Sequence, residues 1–207
     1  MSVKVRTRVD PSVRRQQILD EAIHLIGQLG YHGLTVQELA KRCGLTNGGL
    51  LHYFGSKELL LVAILEDRDR REGEILAAGI AFEPATGGGA EYSLATVLQM
   101  FRAITARSVA QPELARLVTV LQSEALHHAH PAHDYFVQRE AMILGEFSRM
   151  LTGHVADPGA TAREVLALIE GLFQQWLRAD RGFDLTKAWD HAAARLLPGP
   201  PLSTTAQ

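Results

Sequence analysis

Two groups of residues in this chain have types and spacings that could do chemistry. Thr46, Asn47, His52 and Lys57 fall within twelve residues. An asparagine side chain can pair with adenine in a bidentate manner, a threonine can touch a base edge or a thymine methyl, and a lysine ammonium attracts phosphate. The second group is His127, His128, His130 and His133, four imidazoles within seven residues. Imidazole is a common zinc or nickel ligand, so a metal site has to be weighed. Catalytic groupings are missing. The chain has no phosphate-binding glycine loop, no zinc-protease motif and no Ser-His-Asp arrangement that can be placed from sequence, which argues against an enzyme.

The first group sits on a stretch with clear helix punctuation, Thr35 to Lys57. Thr35 is a hydroxyl N-cap with Glu38 three residues on, the pattern of a capping box. Val36, Leu39 and Ala40 give the helix that follows an apolar stripe, and Gly44 can end it by taking φ > 0. Thr46 then caps a second helix through about Tyr53, cut off before Gly55. Two helices about so short a turn form a helix-turn-helix, and the second has the right width for a DNA major groove. Gly48 and Gly49 each destabilise a helix by about 1 kcal/mol relative to alanine. They point either to close approach of backbone to DNA or to tight packing on the preceding helix. Lys57 opens the next helix, capped by Ser56, so its ammonium and the free N–H groups can share one anion.

Ahead of this stretch, Asp10 and Pro11 start a helix with Ile18, Ala22, Leu25, Ile26 and Leu29 inward, ending by Gly30. Arg14 and Arg15 near its start can touch a DNA backbone or simply be solvated. Residues 1–10, with Lys4, Arg6 and Arg8, read as a flexible basic arm able to add phosphate or minor-groove contacts. Residues 1–60 hold eight Lys/Arg against five Asp/Glu, and the remainder 13 against 18. A basic head on an acidic body suits a protein that meets phosphate with one end. The 207 residues, 46% hydrophobic and 21% charged, describe an ordinary globular protein of one or two domains. No apolar run long enough for a membrane span and no secretory signal is present, and a single cysteine fits a reducing cytoplasm.

Beyond the head the chain reads as helix throughout. A helix from Ser56 to about Gly79 buries Leu60, Ala63 and Ile64, and its charged run Glu66–Glu74 reads as a solvated face. Phe82–Glu91, with three consecutive glycines, reads as a flexible loop. Later helices are expected from Leu94, from Pro112, over 132–151, over 161–180 and over 185–197, with residues 198–207 a disordered tail. Pro131 breaks the helix inside the histidine cluster, which favours a helix-loop-helix corner over a metal site. Cys43, one residue before the turn, reads as an inert, buried thiol rather than a redox switch.

Ile18, Ala22, Gly30, Gly33, Thr35, Leu39, Ala40, Gly44, Thr46, Gly48, Leu50, Tyr53, Phe54, Lys57, Glu58 and Leu60 fall at the spacing of the N-terminal signature of the TetR family of transcriptional regulators. The resemblance covers about residues 14–65. It implies an all-α protein of about nine helices, with a three-helix DNA-binding domain over 1–58 and a helical ligand-binding and dimerisation domain over 59–197. It also implies a homodimer on a palindromic operator, usually a repressor released by a small molecule, with no cofactor. Under this resemblance the DNA-contacting candidates are Thr35, Thr46, Asn47, Gly48, Leu51, His52, Tyr53 and Lys57. Tyr53 and Lys57 keep phosphate-contacting positions, whereas Leu51 stands where the family very often has a tyrosine. The two apolar helices near the chain's end match the family's dimer interface, with Ile169, Leu172, Phe173, Trp189, Ala193 and Leu196 as its candidates. Candidate walls of an apolar or aromatic ligand's pocket are Phe101, Ile104, Thr105, Leu121, Met142 and Trp176. The alternatives are a metal-responsive sensor using His127–His133, or an activator.

Overall fold

The computed structural model describes residues 10–30, 33–79, 85, 89 and 91–197; the basic arm, most of the glycine-rich segment and the tail lie outside them. Among the described residues the fold is all-α, with nine helices. These are α1 (Pro11–Leu29), α2 (Val36–Arg42), α3 (Asn47–Phe54), α4 (Lys57–Gly79), α5 (Leu94–Ala110), α6 (Pro112–Glu124), α7 (His133–Leu151), α8 (Pro158–Arg178) and α9 (Leu185–Leu196). No single helix among them is long and apolar enough to cross a membrane.

Side-chain caps start most of these helices, because the first N–H groups of a helix have no partner of their own. Asp10 accepts from Ser12 N–H at 2.8 Å, Ser93 from Thr96 at 3.2 Å, and Asp184 from Lys187 at 3.0 Å. Asp157 accepts from Ala160 at 2.9 Å with Pro158 in the first helical position. The helix expected from residue 161 therefore begins three residues earlier, at an aspartate–proline start that the apolar periodicity alone does not reveal.

The chain falls into two compact units, residues 1–69 and 70–207. The break thus lies eleven residues beyond the expected 58/59 boundary. In the first unit, Ile18, Leu19, Ala22, Leu25 and Ile26 of α1 are buried with Leu39 and Ala40 of α2 and Leu50 of α3. Leu60 through Leu65 of α4 are all buried, so these turns of α4 belong to the head's core. The charged run beginning at Glu66 is not uniformly solvated. Asp67 and Arg68 are buried; Gln16 Nε2 donates to Asp67 Oδ1 at 3.1 Å, and Arg68 pairs with Asp69 at 3.0 Å. A buried carboxylate needs such partners, and the partner here is on α1, too far along the sequence for charge patterning to disclose it.

The second unit is centred on Phe101, Phe147 and Trp189. The Phe101 ring lies edge-on to Phe147 at 4.7 Å and to Trp189 at 6.0 Å, joining α5, α7 and α9. Val97, Leu151, Ala162, Val165, Ile169 and Ala193 complete this core. A smaller cluster gathers Trp176, Leu177 and Leu185.

The expected interface and pocket residues lie in different surroundings. Ile169, Trp189 and Ala193 are core residues within the chain, while Leu172, Phe173 and Leu196 stay partly exposed. The six candidate pocket residues are spread over different parts of the second unit. Phe101 and Ile104 belong to the main core, Trp176 to the smaller cluster, and Met142 is 61% exposed. Leu121 is buried, and the Thr105 hydroxyl is spent on the Phe101 carbonyl one turn back, at 3.2 Å. Helical periodicity marks an apolar face without saying whether core, ligand or partner covers it.

Removing the centre of the aromatic triad tests this packing. Phe101→Ala is expected to lower unfolding stability by about 3–5 kcal/mol, read as a shifted denaturation midpoint. A loss below about 1 kcal/mol would place Phe101 outside the core.

Candidate nucleic-acid interface

The turn between α2 and α3 follows from Gly44. Its φ is +64, and an added Cβ there would meet nothing within 4 Å, so conformation rather than space calls for glycine. With that left-handed residue in place, Gly44 N–H reaches the Lys41 carbonyl at 3.1 Å and Leu45 N–H the Ala40 carbonyl at 2.8 Å. These bonds close the end of α2 in a Schellman-type cap. Thr35 Oγ1 accepts from Glu38 N–H at 3.1 Å at the other end. The carboxylate of Glu38 is engaged by Arg42, at 3.2 Å.

Thr46 Oγ1 accepts from Gly49 N–H at 3.0 Å and starts α3. Gly55, at φ +85, ends α3 eight residues later, and Ser56 Oγ accepts from Leu59 N–H at 3.1 Å to begin α4. The axes of α3 and the first part of α4 meet at 58°. Leu50 and Phe54 are the buried residues of α3, one turn apart. Asn47, Gly48 and His52 are exposed, and Leu51 and Tyr53 are half-buried. Thr35, Thr46 and Lys57 are exposed at the helix starts. A Cβ at Gly48 would meet no atom within 4 Å, so packing against α2 does not explain this glycine. Gly49 differs, because its Cβ would come 3.1 Å from the capping oxygen of Thr46.

The side chains that hold this arrangement leave little trace in the local sequence pattern. Arg42 donates to Glu38 and Glu21, both at 3.2 Å, and to Gln28 at 3.1 Å, tying α2 to α1. Arg14, expected to face DNA or water, donates instead to the backbone carbonyl of Cys43. The guanidinium of Arg15 lies 5.0 Å over the Phe54 ring. Charged-residue counts cannot find such contacts, since each depends on which way an arginine side chain turns.

The histidine corner is also resolved. Ala129 N–H donates to His127 Nδ1 at 3.2 Å, and Ala132 N–H to His130 Nδ1 at 3.1 Å. His133 Nδ1 lies 2.9 Å from the Ala125 carbonyl. These nitrogens serve the turn between α6 and α7. Among the described residues no group of three or more His, Cys, Asp and Glu side chains is placed to hold a metal ion.

Burial pushes the Cys43 thiol upward, and the nearby Arg14 charge only partly opposes this. The thiol therefore stays protonated at neutral pH, where a switch would need thiolate. Cys43 is expected to alkylate at least about threefold more slowly than a free thiol at pH 7.5. Faster labelling than the free thiol would restore the redox reading.

Residues 18–64 match the family described as bacterial regulatory proteins, tetR family. Over 199 residues the chain is 28% identical to the HTH-type transcriptional regulator BetI of Escherichia coli O157:H7, covering 89% of this chain and 91% of that protein. In fold it is similar to a TetR transcription regulator from Haloarcula marismortui ATCC 43049, with TM-score 0.73, 18% identity, and 90% and 97% of the two chains covered. It is similar also to the multidrug binding protein EbrR complexed with imidazole, with TM-score 0.64, 23% identity, and 97% and 100% covered. The match to the head, where the turn and the exposed face of α3 lie, and the likeness to BetI along most of the chain lead to one assignment: residues 18–64 form a tetR-family domain, in a chain similar over most of its length to a transcriptional regulator.

Proposed function

We propose that the protein is a homodimeric cytoplasmic repressor whose two α3 helices read successive major grooves of a palindromic operator. The observation that carries this is the outward face of α3. Polar side chains at Asn47 and His52 flank a glycine, Gly48, that no packing within the chain requires. An exposed helical glycine weakens the protein, so its use makes sense where backbone comes close to a partner. Thr46 and Asn47 are assigned to base edges, Tyr53 and Lys57 to phosphate, and Leu51 to a thymine methyl. The Thr46 hydroxyl still has its proton to donate while its oxygen caps α3. Thr35, exposed at the start of α2, is assigned to the DNA backbone as well.

Two such heads fit a two-fold site when their reading helices lie about 34 Å apart. The partly exposed Leu172, Phe173 and Leu196 of α8 and α9 are the surface offered to the second copy. Release follows if a small apolar or aromatic molecule favours a conformation whose heads fit the site poorly. A hundredfold loss of occupancy requires a preference of about 2.7 kcal/mol for that conformation. The fold of EbrR, a multidrug binding protein, supports a body suited to such a molecule.

Two substitutions test the reading on an operator selected from random duplexes. Gly48→Ala is expected to stabilise the folded protein by up to about 1 kcal/mol while weakening operator binding at least about tenfold. Stronger or unchanged binding would show that no DNA approaches there. Lys57→Ala is expected to flatten the log–log dependence of affinity on salt by about 1 per head. An unaltered slope would remove Lys57 from the phosphate contacts.

A further inference from the structure

We infer that Arg14 and Arg15 are positioning residues that set the pose of α3, rather than ligands of the DNA backbone. The inference rests on the reading of α3 as the DNA-reading helix. With eight residues, α3 is well below the length at which a helix holds itself in water. Its buried anchors, Leu50 and Phe54, lie one turn apart on a single line, which leaves rotation about that line weakly restrained. The first turns of α1 supply contacts near both ends. Arg14 bridges Gln17 Oε1, at 3.1 Å, and the carbonyl of Cys43, the last residue before the glycine turn that launches α3. Arg15, the next residue, covers the ring of Phe54, the last residue of α3. Gln16, the third in the row, reaches Asp67 of α4 and Asp20 of α1, so this stretch of α1 is itself held.

Arg14 and Arg15 are both half-buried, and their guanidinium groups are turned to partners inside the head. A forked guanidinium suits that task, since one group can hold a side-chain oxygen and a backbone oxygen together while another lies flat on a ring. The two kinds of DNA contact differ in tolerance. Base-edge hydrogen bonds need donor–acceptor distances of about 2.7–3.2 Å, so a small tilt of α3 breaks them. Attraction to phosphate acts over about a Debye length, roughly 8–10 Å, and survives such a tilt. Loss of the brace should therefore remove sequence preference and spare non-specific binding. Loss of a phosphate ligand should weaken both.

The experiment compares Arg14→Gln, Arg15→Met and wild type on the selected operator and on a random duplex across a salt series, with thermal melts as a check on folding. Operator affinity is expected to fall at least about tenfold, with random-duplex affinity within about twofold of wild type and its salt slope unchanged. Operator and random-duplex affinities falling together, with a slope smaller by about 1 per head, would overturn the inference in favour of phosphate contact. Unchanged operator affinity would overturn it as well. Should Arg14→Gln fail to fold, Arg14→Lys decides the matter. A lysine keeps the charge but offers one nitrogen in place of the two that reach Gln17 and Cys43, so positioning predicts operator loss and a phosphate ligand predicts none. A wild-type protein without any sequence preference would remove the reading of α3 itself. Variants that match a selective wild type would remove only the brace.

Discussion

The left-handed backbone at Gly44 is the constraint on which the head depends. A residue with a Cβ in that conformation costs about 1–2 kcal/mol, and glycine takes it freely. Once the chain turns there, the last carbonyls of α2 are satisfied by Gly44 and Leu45, and Thr46 falls in position to cap α3. Leu50 and Phe54 then point into the core made by α1, α2 and α4, and the opposite face of α3 is left to solvent. The stripe Asn47, Gly48 and His52 thus follows from one backbone angle and two buried side chains.

The second unit obeys a different logic. Its core is a meeting of aromatic rings from three helices that are distant in sequence, supported by small residues such as Ala162 and Ala193 that let helices approach. The units also differ in charge. Residues 1–69 hold nine Lys/Arg against eight Asp/Glu and residues 70–207 twelve against fifteen, so the unit bearing α3 is the less repelled by a polyanion. Fold and charge therefore point the same way.

The head was legible in the sequence because its signals are local. Thr35, Gly44, Thr46, Gly55 and Ser56 each fix a helix end through contacts within a few residues, and the structure places all five at those ends. Leu50 and Phe54 face inward by simple spacing. The body was legible as helices but not as a site. Trp189, Ala193 and Ile169 carry the same stripe whether they meet their own chain or a second copy, and the structure puts them inside. Met142 sits on an apolar-rich helix yet is 61% exposed, because α7 turns that position outward. Long-range polar contacts were the least visible. The bonds of Arg42 to Glu21, Gln16 to Asp67 and Arg14 to Cys43 join residues 21 to 51 positions apart, and no pattern within a helix encodes them. At the histidine corner at least three of the four rings turn a nitrogen to nearby backbone, a contact that no helical spacing encodes.

The central claim is that the outer face of α3, presented twice with two-fold symmetry, recognises a DNA sequence. Selection from a pool of random duplexes, followed by footprinting of the winner, tests it most directly. The account predicts an inverted repeat whose half-sites lie about one helical turn, roughly 34 Å, apart, protected on one face of the duplex. A folded protein that enriches no repeat, or protects a single unpaired site, would contradict it.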